Sequence, residues 1–228
     1  MELIIGNKNY SSWSLRGWLI LKAFDLPFSE KKLSLFTESF YQELEQVTPV
    51  AKVPVLVDGD IKVWDSLAIC EYVNEQYLEG KGWPVDPSQR AVARAVVAEM
   101  HSGFSALRNE MPMNCRANRS LELSDGALND VSRIDKLWQH CLQQRSNNLS
   151  SVRQNDSDNH DWLFGQFSIV DVFYAPVALR FQTYGIELSD VSRAYQARVL
   201  NHPAIQDWIN DALQETEVVA EDEAGVER

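Results

Sequence analysis

Apolar positions in the first eighty residues change between short runs and helical spacing. Leu3-Ile4-Ile5 has the length and branching of a short strand, and the Trp, Leu and Ile positions of residues 13–24 recur as on a helix that ends before Pro27. Residues 28–34 predict a second strand and 38–47 a second helix. Residues 54–57 and 61–64 predict a hairpin about Asp58-Gly59-Asp60, and 66–78 a third helix. The order β-α-β-α-β-β-α is thioredoxin-like, an α/β domain over residues 1–80.

The pattern then changes character. Gly80-Lys81-Gly82-Trp83-Pro84 reads as linker, assigned to 81–86, and Asp86-Pro87 is a helix start with proline at its first position. Beyond it, 87–214 predicts an all-helical domain. Val92, Val96, Met100, Phe104, Leu107 and Met111 recur at spacings of three and four, one buried stripe on a long helix that Pro112 breaks. Further helices are predicted near 124–146, 169–184 and 203–214, with a polar, mobile loop over 147–161. Phe167-Ser168-Ile169-Val170-Asp171-Val172 has the form of a capping box with a staple: Ser168 caps Asp171 N–H, the carboxylate returns to Ser168 N–H, and Phe167 meets Val172.

Three segments carry candidate chemistry. Val53-Pro54 puts a proline, which has no N–H, at the mouth of an otherwise central strand, and a cis bond there would turn the Val53 backbone towards an extended ligand. Asp65-Ser66 precedes a helix, where a cap and free N–H groups hold a carboxylate. Tyr10-Ser11-Ser12-Trp13-Ser14-Leu15-Arg16 sets hydroxyls at the start of the first helix. Taken singly, each has a plainer reading as a helix cap or an edge proline.

In this order, Ser-Ser-x-x-x-Arg, Lys-Val-Pro-Val-Leu and Asp-Ser-Leu-Ala-Ile-x-Glu-Tyr resemble the cytosolic glutathione transferases, near their serine-type zeta class. The resemblance implies glutathione as co-substrate, with the Val53 backbone before cis-Pro54 pairing with its cysteinyl unit and Asp65-Ser66 gripping its γ-glutamyl end. Lys52 would meet the glycine carboxylate or remain a solvated flank. Ser11 or Ser12 would stabilise the thiolate, with Ser11 favoured by its place five residues before Arg16 and Tyr10 a weaker third hydroxyl. Serine at position 11, where oxidoreductase relatives have cysteine, argues against disulfide reduction, and Trp13 stands where zeta-type relatives often have cysteine. Arg16 reads as a structural ion-pair partner. The acceptor pocket would take Tyr10, Trp13, Arg108, Met111, Met113, Arg116 and Arg119, the arginines meeting a carboxylate on a small electrophile or neutralising an acidic surface. A homodimer is implied. The alternatives are a zeta-like cis–trans isomerase acting on an unsaturated diacid, and a binding or scaffold protein that kept the fold.

Composition narrows the partners. The net charge of −12, from 21 basic and 33 acidic residues, disfavours nucleic acid and anionic membranes. Six of those acids fall among residues 215–228 against Arg228 alone, which predicts a tail without fixed structure and leaves about −7 for the rest. Cys70, Cys115 and Cys141 are odd in number and without metal-ligand spacing, Cys70 reads as an inert core residue, and the four histidines form no metal or triad pattern. No apolar run approaches the roughly 18 residues of a membrane span. These readings predict a cytoplasmic protein with no metal.

Overall fold

The computed structural model describes residues 1–149 and 161–228. Its sheet runs in the order β2-β1-β3-β4, from β1 (Glu2–Ile5), β2 (Ser29–Lys32), β3 (Val55–Asp58) and β4 (Ile61–Trp64). Strand β1 lies parallel to β2, with Leu3 opposite Glu30, and antiparallel to β3, with Leu3 opposite Leu56. Helices α1 (Ser12–Ala23), α2 (Glu38–Leu44) and α3 (Ser66–Gln76) complete the thioredoxin-like arrangement.

The remainder is helical: α4 (Pro87–Ser102), α5 (Ser105–Glu110), α6 (Asp125–Leu149), α7 (Ile169–Thr183), α8 (Asp190–Leu200) and α9 (Pro203–Gln214). The expected continuous helix through Met111 is broken. Phe104 has φ 57°, in the left-handed region, and a Cβ on Gly103 would stand 2.7 Å from Glu99 O, so the chain turns there and α5 leaves in a new direction. The predicted stripe shifts accordingly, leaving Val92 48% exposed while Ala93 and Val97 face the core. Helix α8 escaped the sequence reading because its buried face is only Ser192, Tyr195 and Val199 on an otherwise polar segment. The mobile loop expected over 147–161 falls largely on 150–160, outside the described residues, and α6 continues to Leu149.

Helix α7 is buried on every face, and one continuous core joins it to Leu15 and Leu19 of α1, Ile69 and Val73 of α3 and Trp138 of α6. Each large side chain so buried contributes roughly 1.5–3 kcal/mol. The capping box at its start is present. Phe167 packs its ring against Trp162 and stacks on His202 at 4.7 Å.

The tail corrects the expectation of disorder. Glu215 is buried and accepts from the backbone N–H groups of Lys8 (2.8 Å) and Asn9 (3.0 Å), residues 220–222 form a 3-10 turn, and β6 (Val226–Glu227) pairs with β5 (Arg119–Ser120). Charge that reads as solvating in composition is here matched to donors. With Trp208 Nε1 donating to Lys8 O at 2.9 Å, these contacts fix the loop that leads into α1.

Candidate active site

The middle of α1 packs against cis-Pro54, and Gly17 permits that approach: a Cβ there would lie 3.0 Å from the Pro54 ring. Strand pairing starts at Val55, so the half-buried Val53 lies outside the ladder at the open end of β3. Lys52 beside it is exposed.

The two serines have different duties. Ser11 is the N-cap of α1: its Oγ accepts from Ser14 N and donates to Ser14 Oγ at 2.7 Å, and Ser14 Oγ in turn accepts from Gly6 N. Its proton is therefore committed inside the turn. Ser12, the first residue of α1, accepts at Oγ from Arg180 Nη2 at 3.2 Å, and among the described residues no acceptor takes its proton. The resemblance favoured Ser11; the hydrogen bonding leaves Ser12 as the hydroxyl free to donate.

Asp65 has φ 75° and ψ 130°, a backbone state that costs a non-glycine residue roughly 1–3 kcal/mol and clusters at functional sites. Its Oδ1 accepts from Leu67 N and Ala68 N, and its Oδ2 lies 3.2 Å from His101 Nε2 of α4. Ser66, first in α3, is buried, and its Oγ has no hydrogen-bond partner among the described residues. A buried hydroxyl rarely stays unpaired. With the Leu67 and Ala68 N–H groups already taken by Asp65, Ser66 at the positive end of α3 is the group suited to meet a carboxylate.

Trp13 is half-buried, with Arg16 4.5 Å and Arg108 4.7 Å from its ring and the His101 edge at 5.5 Å. Arg108 donates to the carbonyls of Met100 and His101. Arg16 is fully buried, its Nε donates to Phe173 O at 3.3 Å, and both its Nη atoms lack partners. Burial, reinforced by the neighbouring charges of Arg108 and Arg180, pulls its pKa well below the usual value. Burial, with the charge of Arg108, brings Arg180 down to about 10, so it stays charged at neutral pH. Among the described residues no carboxylate pairs with Arg16, contrary to its reading as an ion-pair partner. Arg180 escaped the sequence reading altogether, although a lone arginine in the apolar run of α7 was a signal.

The expected acceptor pocket is not assembled as predicted. Met111 and Met113 lie in the core. Arg116 donates to the carbonyls of Glu215 and Glu217 and to Tyr10 OH, Tyr10 OH donates to Glu223, and Arg119 pairs with Glu223 at 2.7 Å. These three side chains latch the tail.

Residues 10–76 match the family model for the glutathione S-transferase N-terminal domain. The chain carries a glutathione S-transferase N-terminal domain. It is 38% identical over 99 residues to the "Probable maleylacetoacetate isomerase" of Caenorhabditis elegans, a match covering 43% of this chain and 45% of that protein. To "Glutathione S-transferase Z1" of Arabidopsis thaliana it is 33% identical over 108 residues, 45% of this chain and 48% of the relative. The chain thus spans about half the length of these curated relatives. The fold agrees with a glutathione transferase homologue from Burkholderia solved with bound glutathione: the TM-score is 0.68 at 20% identity, over 94% of this chain and 98% of that one. The glutathione S-transferase fold therefore extends through the helical half.

Proposed function

We propose that this glutathione S-transferase homologue binds glutathione and uses Ser12 to hold its sulfur as thiolate for attack on a small electrophilic carbon. The observation that carries the reading is the division of labour between the serines, Ser11 closing the cap and Ser12 keeping its proton free. The γ-glutamyl carboxylate would take Ser66 Oγ and the N-terminus of α3, and the cysteinyl unit would pair with the Val53 backbone. A free thiol, with a pKa near 8.5, is mostly protonated at neutral pH. A donated hydroxyl bond and the positive end of α1 favour the anion, each unit of pKa corresponding to about 1.4 kcal/mol. The sulfur then forms a bond to carbon as a leaving group departs, or adds to a polarised double bond.

The name of the Caenorhabditis relative favours a second reading: glutathione adds to the cis double bond of an unsaturated diacid, the single bond rotates, and glutathione leaves unchanged. Conjugation consumes glutathione and isomerisation regenerates it, so product analysis separates the two. We further propose a homodimer in the cytoplasm, supported by the unpaired β4 edge with exposed Ile61 and Trp64 and by three free cysteines.

The test is glutathione titration with thiolate absorbance followed against pH in wild type, Ser11→Ala and Ser12→Ala. Ser12→Ala should raise the bound thiol pKa by about one unit, while Ser11→Ala lowers stability by about 1 kcal/mol and leaves the thiol nearly unchanged. The opposite assignment would restore Ser11 as the donor, and no binding to wild type would favour a scaffold.

A further inference from the structure

Arg180 is a cation in a helix whose buried side chains are mostly apolar, and it is only 5% exposed. Its Nε donates to Met111 O at 2.7 Å and its Nη2 to Ser12 Oγ at 3.2 Å. Burying a cation without a bonded carboxylate is unfavourable, and replacing it by a hydrophobic residue of similar volume is often neutral or stabilising. A stability role alone therefore leaves the choice of residue unexplained. The bond to Ser12 supplies a reason: a guanidinium on the acceptor side of Oγ turns the hydroxyl proton away from α7, and its charge strengthens the donation.

We infer that Arg180 is a positioning residue which acts through Ser12, orienting and polarising that hydroxyl so that it donates to the glutathione sulfur. The inference rests on the proposed binding of glutathione beside Ser12. Arg180 touches no site in which a substrate atom has been placed, so its effect passes through the Ser12 bond and through its field.

The charged and titratable groups facing this pair come from several elements. Arg16 stands on α1, with Cys70 of α3 near it, and Arg108 stands on α5; both arginines add positive potential. Tyr174 of α7 and Tyr184 just after that helix lie within electrostatic reach, and Trp13 contacts the His101 of the His101–Asp65 pair. Among the described residues, Asp222 of the tail's 3-10 turn is a carboxylate that acts on Arg180, itself flanked by Glu221 and Glu223. Asp222 opposes the cation, so it provides a perturbation of opposite sign.

The experiment compares wild type, Ser12→Ala, Arg180→Gln, Arg180→Lys and Asp222→Asn in the full chain. It follows thiolate absorbance of bound glutathione against pH, binding of S-methylglutathione, which has no ionisable thiol, and thermal unfolding. Arg180→Gln should raise the thiol pKa by about one unit, a tenfold loss of thiolate below that pKa. S-methylglutathione affinity should hold, Arg180→Lys should recover part of the shift, and Asp222→Asn should lower the thiol pKa. A merely structural Arg180 would change unfolding and leave the pH profile in place. If Ser12→Ala shifts the thiol and Arg180→Gln does not, the inference fails while the glutathione reading stands. If wild type binds no glutathione or leaves its thiol unshifted, both fall. Should Arg180→Gln fail to fold, Asp222→Asn and Arg180→Lys decide: a thiol pKa unmoved in both overturns the inference.

Discussion

Removing the Asp171 carboxylate should destabilise the protein by an amount that depends on pH in a definite direction. In the fully buried site, Asp171 accepts from Ser168 N (2.9 Å), Ser168 Oγ (3.1 Å), Leu163 N (3.3 Å) and Tyr195 OH (3.0 Å). Asp171→Ala leaves Ser168 N, Leu163 N and Tyr195 OH without their acceptor, and at roughly 1 kcal/mol each the loss is about 3 kcal/mol. Burial raises the carboxyl to about 6 in the folded protein, above the roughly 3.9 of an unfolded chain. The folded state therefore holds the proton more tightly, and this group's contribution to stability falls as pH rises from about 4 to 6 and is flat above that. Between pH 5 and pH 7 wild type loses about 1 kcal/mol from this source, which the alanine variant cannot lose. The gap between the two proteins should thus be wider at pH 5 than at pH 7. Urea unfolding followed by the fluorescence of buried Trp138, Trp162 and Trp208 measures both gaps. A gap that is equal at the two pH values, or wider at pH 7, would refute the reasoning.

Two other predictions concern features away from α7. Glu215→Ala should cost roughly 2–4 kcal/mol, because it orphans two backbone N–H groups at Lys8 and Asn9; chemical unfolding with a change under 0.5 kcal/mol would show the tail to be ornamental. The thiols should resist alkylation in the native state: burial raises Cys70 strongly and pushes Cys141 up to about 12, so only about one part in ten thousand of Cys141 is thiolate at pH 8. Mass spectrometry after iodoacetamide should find Cys70 and Cys141 labelled only once the chain is denatured, and rapid native labelling of either would contradict their burial.

What the sequence made legible is what local chemistry decides. The Ser168–Asp171 box is settled within four residues, the Asp65 cap within three, and the thioredoxin-like order by the alternation of two periods, so each could be read without knowing the rest of the fold. The choice between Ser11 and Ser12 could not be read in this way. One half of it is local, since Ser14 takes the Ser11 proton, but the other half is Arg180, 168 residues further along the chain. The tail failed for the same reason. Its acids look solvating until Lys8, Asn9, Lys32 and Arg119 are brought to meet them, and no window of the sequence contains both sides.

Charge shows the point most sharply, because the global and local readings have opposite signs. A net charge of −12 argues against anionic partners for the surface as a whole. Ser12 is bonded by the buried Arg180, and Arg180 interacts electrostatically with buried Arg16 and half-buried Arg108, a cationic cluster near the positive end of α1. Exposed acids are screened over about 10 Å at ordinary ionic strength, whereas charges inside the protein act through a lower effective dielectric. The cluster therefore dominates the potential where the sulfur would sit, and an acidic protein can still offer an anion a favourable interior. A composition-level argument disfavours a nucleic-acid partner and says nothing against a small anionic ligand, which would sample only a cleft. The same reasoning bears on Arg180: one buried cation bonded to the Ser12 hydroxyl acts on the local field more strongly than screened acids at the surface can offset.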